Sequence, residues 1–191
     1  MAKKIDINKP DKRNLITIRE IMIIAVVALV IFLITCDRPV WEQNFSTIRP
    51  SFWKQQNFDG TTLLKAPSAP GDDEFNADSF TIQDITEKAR DYATSKDYVL
   101  HRVDEEQSVE SNRFEENKFN WEDAGPFIGA DGHEAYFFIY RPGGEYSGSK
   151  NMEVIIKKGD KTYMLAYRSK WGRFDKNFSK AMKIFTSFKI K

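Results

Sequence analysis

The chain has 191 residues, 41% of them hydrophobic and 30% charged, with a formal net charge of +1. That balance excludes a generally basic nucleic-acid binder and a generally disordered chain, and the length suits one folded domain. The near-neutral total conceals segregation: residues 104–134 carry ten acidic and two basic side chains, whereas 141–191 carry thirteen basic and four acidic. Cys36 is the single cysteine, so no intrachain disulfide can form. An exported domain of this sequence must rely on a hydrophobic core, for which fifteen Phe, seven Tyr and four Trp are available.

Residues 1–14 form a polar, basic tail. Ile21 to Cys36 reads IMIIAVVALVIFLITC, sixteen residues without a charge. As a helix this run covers roughly 24 Å, short of a hydrocarbon core of about 30 Å. Leu15, Ile16 and Ile18 add an apolar turn, so residues 15–36 are predicted to form one transmembrane helix. No small-x-small cleavage site follows the run, which argues against a removed signal peptide. Leu33-Ile34-Thr35-Cys36 resembles a lipobox but has Thr35 where Gly, Ala or Ser is required. Lys3, Lys4, Lys9, Lys12, Arg13 and Arg19 precede the apolar run, and only Arg38, Arg49 and Lys54 follow it closely. The excess places the N-terminus in the cytoplasm and the rest outside it.

Residues 37–79 set Trp41, Phe45, Phe52, Trp53 and Phe58 among several prolines, with no evident helical or strand period. The expectation is an extended juxtamembrane segment. Trp41 and Phe45 suit an interfacial aromatic belt, while Phe52, Trp53 and Phe58 lie further along. All five are candidate partner contacts, and Trp53 in particular is expected to be buried against a neighbouring subunit.

Residues 80–191 are predicted to form the folded domain. Thr81 to Lys96 presents Ile82, Ile85, Ala89, Tyr92 and Ala93 at helical spacing, opened by a Thr81/Asp84 capping pair. Tyr98 to Val103 alternates as a strand that carries His101, and 104–134 is acidic and irregular. Strands follow at 135–140, 152–157 and 162–168, the last two joined by Lys158-Gly159-Asp160-Lys161 as a hairpin turn. A helix over 175–185 carries a stripe of Phe174, Phe178, Ala181, Met182 and Phe185, and a short strand closes the chain. The fold class is α+β: an antiparallel sheet with packing helices, able to fold from about Ala77 onward.

The run Met152 to Tyr167, then Phe178 to Met182, then Phe185-Thr-Ser-Phe188, resembles the C-terminal part of PsbP-like domains over about forty residues. The resemblance implies an α/β/α sandwich and a non-enzymatic accessory or assembly role beside photosynthetic membrane complexes. The upstream half departs from the family, with a helix where a leading hairpin is expected.

Candidate chemistry is sparse. Asp131, His133 and Glu134 form one possible ligand cluster, without the second cluster that a zinc site needs. Asp72, Glu74, Asn76 and Asp78 alternate like a calcium loop but lack its glycine and closing glutamate. Asn44 and Asn177 head glycosylation sequons, one near the bilayer and one inside a predicted helix. No nucleophile–base arrangement exists, and no catalytic residue, cofactor or metal is expected. The functional expectation is a non-catalytic, single-pass accessory subunit of a photosynthetic or respiratory membrane complex. Its partners would be other subunits and the lipid bilayer, with no nucleic acid. The alternative is an independent anchored module that binds a small ligand or an envelope component.

Overall fold

A computed structural model describes residues 18–68, 78–109, 120–129, 132–143 and 148–191. Residues 1–17 are not among these, nor are Asp72, Glu74, Asn76 and Asp131, so the expectations placed on them lie outside the described residues. The chain divides into two compact units, Met1–Cys36 and Asp37–Lys191. The expected domain boundary at residue 80 therefore falls inside the second unit.

In the first unit, α1 (Ile18–Thr35) is a single apolar helix. Its side chains from Ile21 to Ile34 are exposed all round, with no buried stripe. Among the described residues no helix is long and apolar enough to cross a membrane. The 18 residues of α1 give roughly 27 Å of helix against a hydrocarbon core of about 30 Å.

The second unit begins with β1 (Arg38–Trp41) and β2 (Phe45–Arg49), followed by the hairpin β3 (Lys54–Phe58) and β4 (Thr61–Lys65). Thus residues expected to be extended and irregular are four strands. Asp59 and Gly60 both have positive φ, the type I′ geometry that Asp-Gly favours between antiparallel strands. Next come β5 (Ser79–Asp84) and α2 (Ser95–Val109). The predicted helix over 81–96 and strand over 98–103 are both corrected. Ser-Phe-Thr-Ile-Gln-Asp has a period of two that puts Phe80 and Ile82 inward, and β5 is paired on both sides. The capping pair sits thirteen residues later than predicted, at Thr94 and Asp97. There the Asp97 carboxylate accepts from the Thr94 N–H and hydroxyl, and Thr94 Oγ1 accepts from the Asp97 N–H at 3.1 Å.

The remaining elements follow the prediction more closely: β7 (Glu134–Arg141), β8 (Ser149–Lys158), β9 (Lys161–Lys170), α3 (Phe174–Ser187) and β10 (Lys189–Ile190). β6 (Asn120–Ile128) is an added strand in the stretch expected to be irregular. Gly159 takes φ +59° and lets Gly159-Asp160 close the β8–β9 hairpin.

Two antiparallel sheets result, one of order β1-β2-β10 and one of order β3-β4-β5-β9-β8-β7-β6. α3 and the small sheet cover one face of the large sheet. The core there includes Trp53, Leu64, Phe80, Val154, Leu165, Ile184 and Phe185. α2 covers part of the other face, over Phe138, Tyr140 and Ile155. The order helix, sheet, helix is the α/β/α arrangement expected, now with the leading hairpin present. On α3, Phe174, Ala181 and Phe185 are buried as predicted and are joined by Ile184, whereas Phe178 and Met182 are only partly buried.

Candidate functional site

The five aromatic residues singled out in the sequence divide into two groups. Phe45 points inward from β2 onto Tyr163 and Phe188, with ring centroids 5.9 and 5.3 Å away. Trp53 is 3% exposed and belongs to the same core. Neither is available to a partner, which corrects the expectation that Trp53 is buried against a neighbouring subunit. The reason is that 38–65 is four strands joined by turns: strands alternate their side chains between core and solvent, and the turn between β2 and β3 sends Trp53 inward. Trp41 and Phe58 fall on the outward side of that alternation and Phe52 on the turn, 71%, 56% and 60% exposed.

Register places Val40, Phe45 and Thr47 on the inner face of the small sheet. Pro39 and Trp41, with Ser46 and Ile48 opposite them, lie on its outer face. The inner face is fixed to α3: Thr47 Oγ1 donates to the Ile184 carbonyl at 3.1 Å, and the Ile48 N–H donates to Ser187 Oγ at 3.0 Å. Lys191 Nζ stands 5.4 Å over the Trp41 ring, a cation–π contact that fixes the indole from one side.

Phe52 occupies an unusual backbone position. The Trp53 N–H donates to the Pro50 carbonyl at 3.2 Å, closing a four-residue turn, and Phe52 has φ +68°. This is the third position of a type II turn, where glycine is favoured because a Cβ is strained. A non-glycine residue there costs about 1–2 kcal/mol. The turn is anchored at its start, where the Ser51 N–H donates to Asp37 Oδ1 at 3.1 Å and Lys183 Nζ donates to Asp37 Oδ2 at 2.9 Å. Burial pushes the Asp37 carboxyl up. The Lys183 and Ser51 hydrogen bonds, with the charges of Lys183 and Lys180, outweigh it and hold its pKa below the usual value.

A second candidate lies on the opposite face of the large sheet. A groove of about 350 Å³ runs beside α2 and is lined by Lys88, Tyr92, Tyr98, His101, Arg102 and Glu105, with Gln83 and Met164 beneath. His101 lies on this helix rather than on a strand, with Nε2 3.2 Å from Glu105 Oε1 and its ring against Tyr92. Under the groove, Arg102 Nη1 donates to Glu153 Oε2 at 2.8 Å and the Tyr140 hydroxyl donates to Glu153 Oε1 at 2.5 Å. Burial opposes the Arg102 charge, but Glu153 together with Tyr140, Tyr98 and Glu106 outweighs it and the pKa is raised. Burial, then the Glu153 charge, raises the Tyr140 phenol well above its ordinary value. Both Glu153 oxygens are taken by these donors. The trio therefore ties α2 to β7 and β8 and offers no free base. Arg102, Tyr140 and Glu153 went unread in the sequence because their grouping depends on α2 being a helix.

The other sequence candidates are not gathered. Glu134 accepts from the Ser95 N–H at 2.9 Å, and among the described residues no group of three His, Cys, Asp or Glu side chains is placed to hold a metal. Asn177 donates its amide to the buried Asp78 at 2.5 Å.

No protein-family model matches the sequence, and no curated protein matches it significantly. Solved structures do. Cyanobacterial PsbP (CyanoP) from Synechocystis is similar with a TM-score of 0.56 and 15% identity, over 83% of this chain and 94% of that one. A mutant of Mog1 is similar at 0.53 and 7%, over 81% and 96%. LpqN, described as involved in cell envelope biogenesis of Mycobacterium tuberculosis, is similar at 0.50 and 10%, over 82% and 91%. The second unit thus has the PsbP-like fold, and at these identities the likeness concerns the fold alone.

Proposed function

We propose that this protein is a non-catalytic, membrane-anchored accessory subunit that docks on neighbouring subunits through the outward aromatics Trp41, Phe52 and Phe58. The observation that carries the reading is Phe52. A large apolar side chain is displayed to solvent from a backbone position that would be less strained with glycine, and such strain persists where function holds it. Three exposed aromatics on the β1–β3 stretch offer contact area at low rotamer cost, as docking anchors do.

The anchor rests on α1, whose apolar side chains surround the helix and leave no polar face for water. Leu15 and Ile16, just before it in the sequence, are apolar as well. The lysine and arginine excess before the span favours a cytoplasmic N-terminus and an extracytoplasmic folded unit. A photosynthetic or respiratory complex is favoured by the fold shared with CyanoP. The test is mild detergent extraction and native gel separation, with a compartment reporter fused after Lys191. Comigration with other subunits and an externally active reporter are expected. Migration as a lone chain overturns the accessory reading.

A second reading, an independent anchored binding module, is favoured by the groove beside α2. It predicts a lone chain on the same gel.

A further inference from the structure

A second concavity, of about 330 Å³, opens where the β1–β2 turn meets the β3–β4 hairpin and the end of β5. Its charged lining side chains are Glu42, Asp59 and Asp84; no lysine or arginine lines it. None of the three carboxylates forms an ion pair among the described residues. Neutral polar and aromatic walls come from Asn44, Asn57, Phe58 and Tyr163.

The carboxylates are held apart by the fold. Glu42 Oε1 accepts from Gln55 Nε2 at 2.8 Å and Asn57 Nδ2 at 3.1 Å, and Asp84 Oδ1 accepts from the Thr86 N–H at 2.9 Å. Asp59 stands at the hairpin tip with φ +38°. Lys191 comes near, but its ammonium is spent on the Glu42 carbonyl at 2.5 Å and on the Trp41 ring.

Tyr163 supplies an observation beyond the charge of the acidic residues. It is 2% exposed, it lines the cavity, and its buried hydroxyl has no well-formed hydrogen bond among the described residues. Burial first, then the charge of Asp84, its register partner on β5, and a loose hydrogen bond to it that leaves the hydroxyl unsatisfied push the phenol up to about 12. A buried hydroxyl left unpaired costs about 1–3 kcal/mol, so one that borders a polar cavity marks a place for a ligand atom.

We infer that this cavity binds an organic cation, an alkylammonium or alkylguanidinium group, with Glu42, Asp59 and Asp84 as counter-charges and Phe58 as the aromatic wall. A metal ion is a poor fit, because the carboxylates do not converge on one point. A flat or tapered organic cation spans separated carboxylates by hydrogen bonds and lays its apolar stem on aromatic rings. The volume is at the small end of ligand sites, so it takes one such group and its stem. The group comes either from a free small molecule or from a lysine or arginine side chain of another protein. The inference stands whether or not the chain is an accessory subunit.

The test is calorimetric titration of the full chain, in a non-ionic detergent, with butylguanidinium and with its neutral isostere butylurea. Binding of the cation alone, weakened by added salt, is expected. Asp84→Asn should weaken it about tenfold, the loss typical of one charged hydrogen bond. Asp59→Asn gives a second reading that is safe for the fold, since asparagine tolerates positive φ. Tyr163→Phe should weaken binding by a smaller factor. Acetyl-arginine amide as a third probe separates the sources: tighter binding than butylguanidinium names a protein side chain, and weaker binding a free cation. Equal binding of butylurea, or full affinity in both aspartate variants, overturns the inference.

Discussion

The two sheets of the folded unit treat their exposed surface differently. The large sheet begins its edge strand β3 with the polar run Lys54-Gln55-Gln56-Asn57, which discourages edge-to-edge association, and exposes large apolar side chains only singly, at Phe58 on that strand and at Trp121 and Ile128 on β6. The small sheet buries Val40, Phe45 and Thr47 inward, yet its outer face carries Pro39, Trp41 and Ile48, and the turn after β2 displays Phe52. An apolar outer face contributes nothing to the fold, and one on a strand pair this short is a liability unless something covers it. Under the docking proposal, the contrast separates ordinary polar surface from surface shaped for contact.

The largest effect to test is whether the N-terminal strands of both sheets belong to the fold at all. A chain starting at Asp37 is expected to melt cooperatively, whereas one starting at Ala77 loses β1–β4, together with Phe45, Trp53 and Leu64 from the core, and gives no cooperative transition. Equal melting of the two would detach β1–β4 from the fold and erase the contrast.

At single residues the contrast sharpens to neighbours. Trp53→Ala should cost about 3–5 kcal/mol in urea denaturation, the range for a buried large aromatic. Phe52→Ala should stay within about 0.5 kcal/mol, as surface changes do. A reversed order would exchange their assignments.

Alkaline pH probes the junction of the two sheets, because Tyr163 packs on Phe45 and Phe188. Burial and then Asp84 raise its phenol from 10.0 to about 12 in the fold. The folded state thus holds the proton more tightly than the unfolded chain. The associated stability is fully present below the unfolded value and is lost as pH rises through the folded one. The urea midpoint should fall between about pH 10 and 12, less steeply in Tyr163→Phe. An identical slope in the variant would remove Tyr163 from the account.

The smallest effect is Phe52→Gly. Relief of left-handed strain, less the entropy that glycine loses on folding, should give a gain of up to about 1 kcal/mol. A loss beyond about 1 kcal/mol would show that the ring supports the fold.

The C-terminal half was legible because its strands are dense apolar runs and α3 has one clear stripe. The β8–β9 hairpin carries its own turn signal in Gly159. The N-terminal half was misread for local reasons. Lys54-Gln-Gln-Asn-Phe58 is an edge strand too polar to show a hydrophobic period, although Asp59-Gly60 marked its hairpin. Ser79 to Asp84 fits both a period of two and the start of a helical stripe, and its pairing with β9, about eighty to ninety residues away, decides between them. Division of the aromatics into core and surface follows from the pairing of β1 to β4 and the turn at 50–53, which single residues do not reveal. The cavity lined by Glu42, Asp59, Asp84 and Tyr163 is assembled from four separate stretches of chain and leaves no local motif.

If Trp41 and Phe52 are kept outside for a partner, as proposed, their loss should cost docking and not folding. The most direct measurement is native gel retention of the full-length Trp41→Ala/Phe52→Ala chain in its membrane complex, paired with the melting temperature of the same variant. The account predicts an unchanged melting temperature and a marked loss of retention. Full retention, or a melting temperature that falls along with it, would contradict the claim.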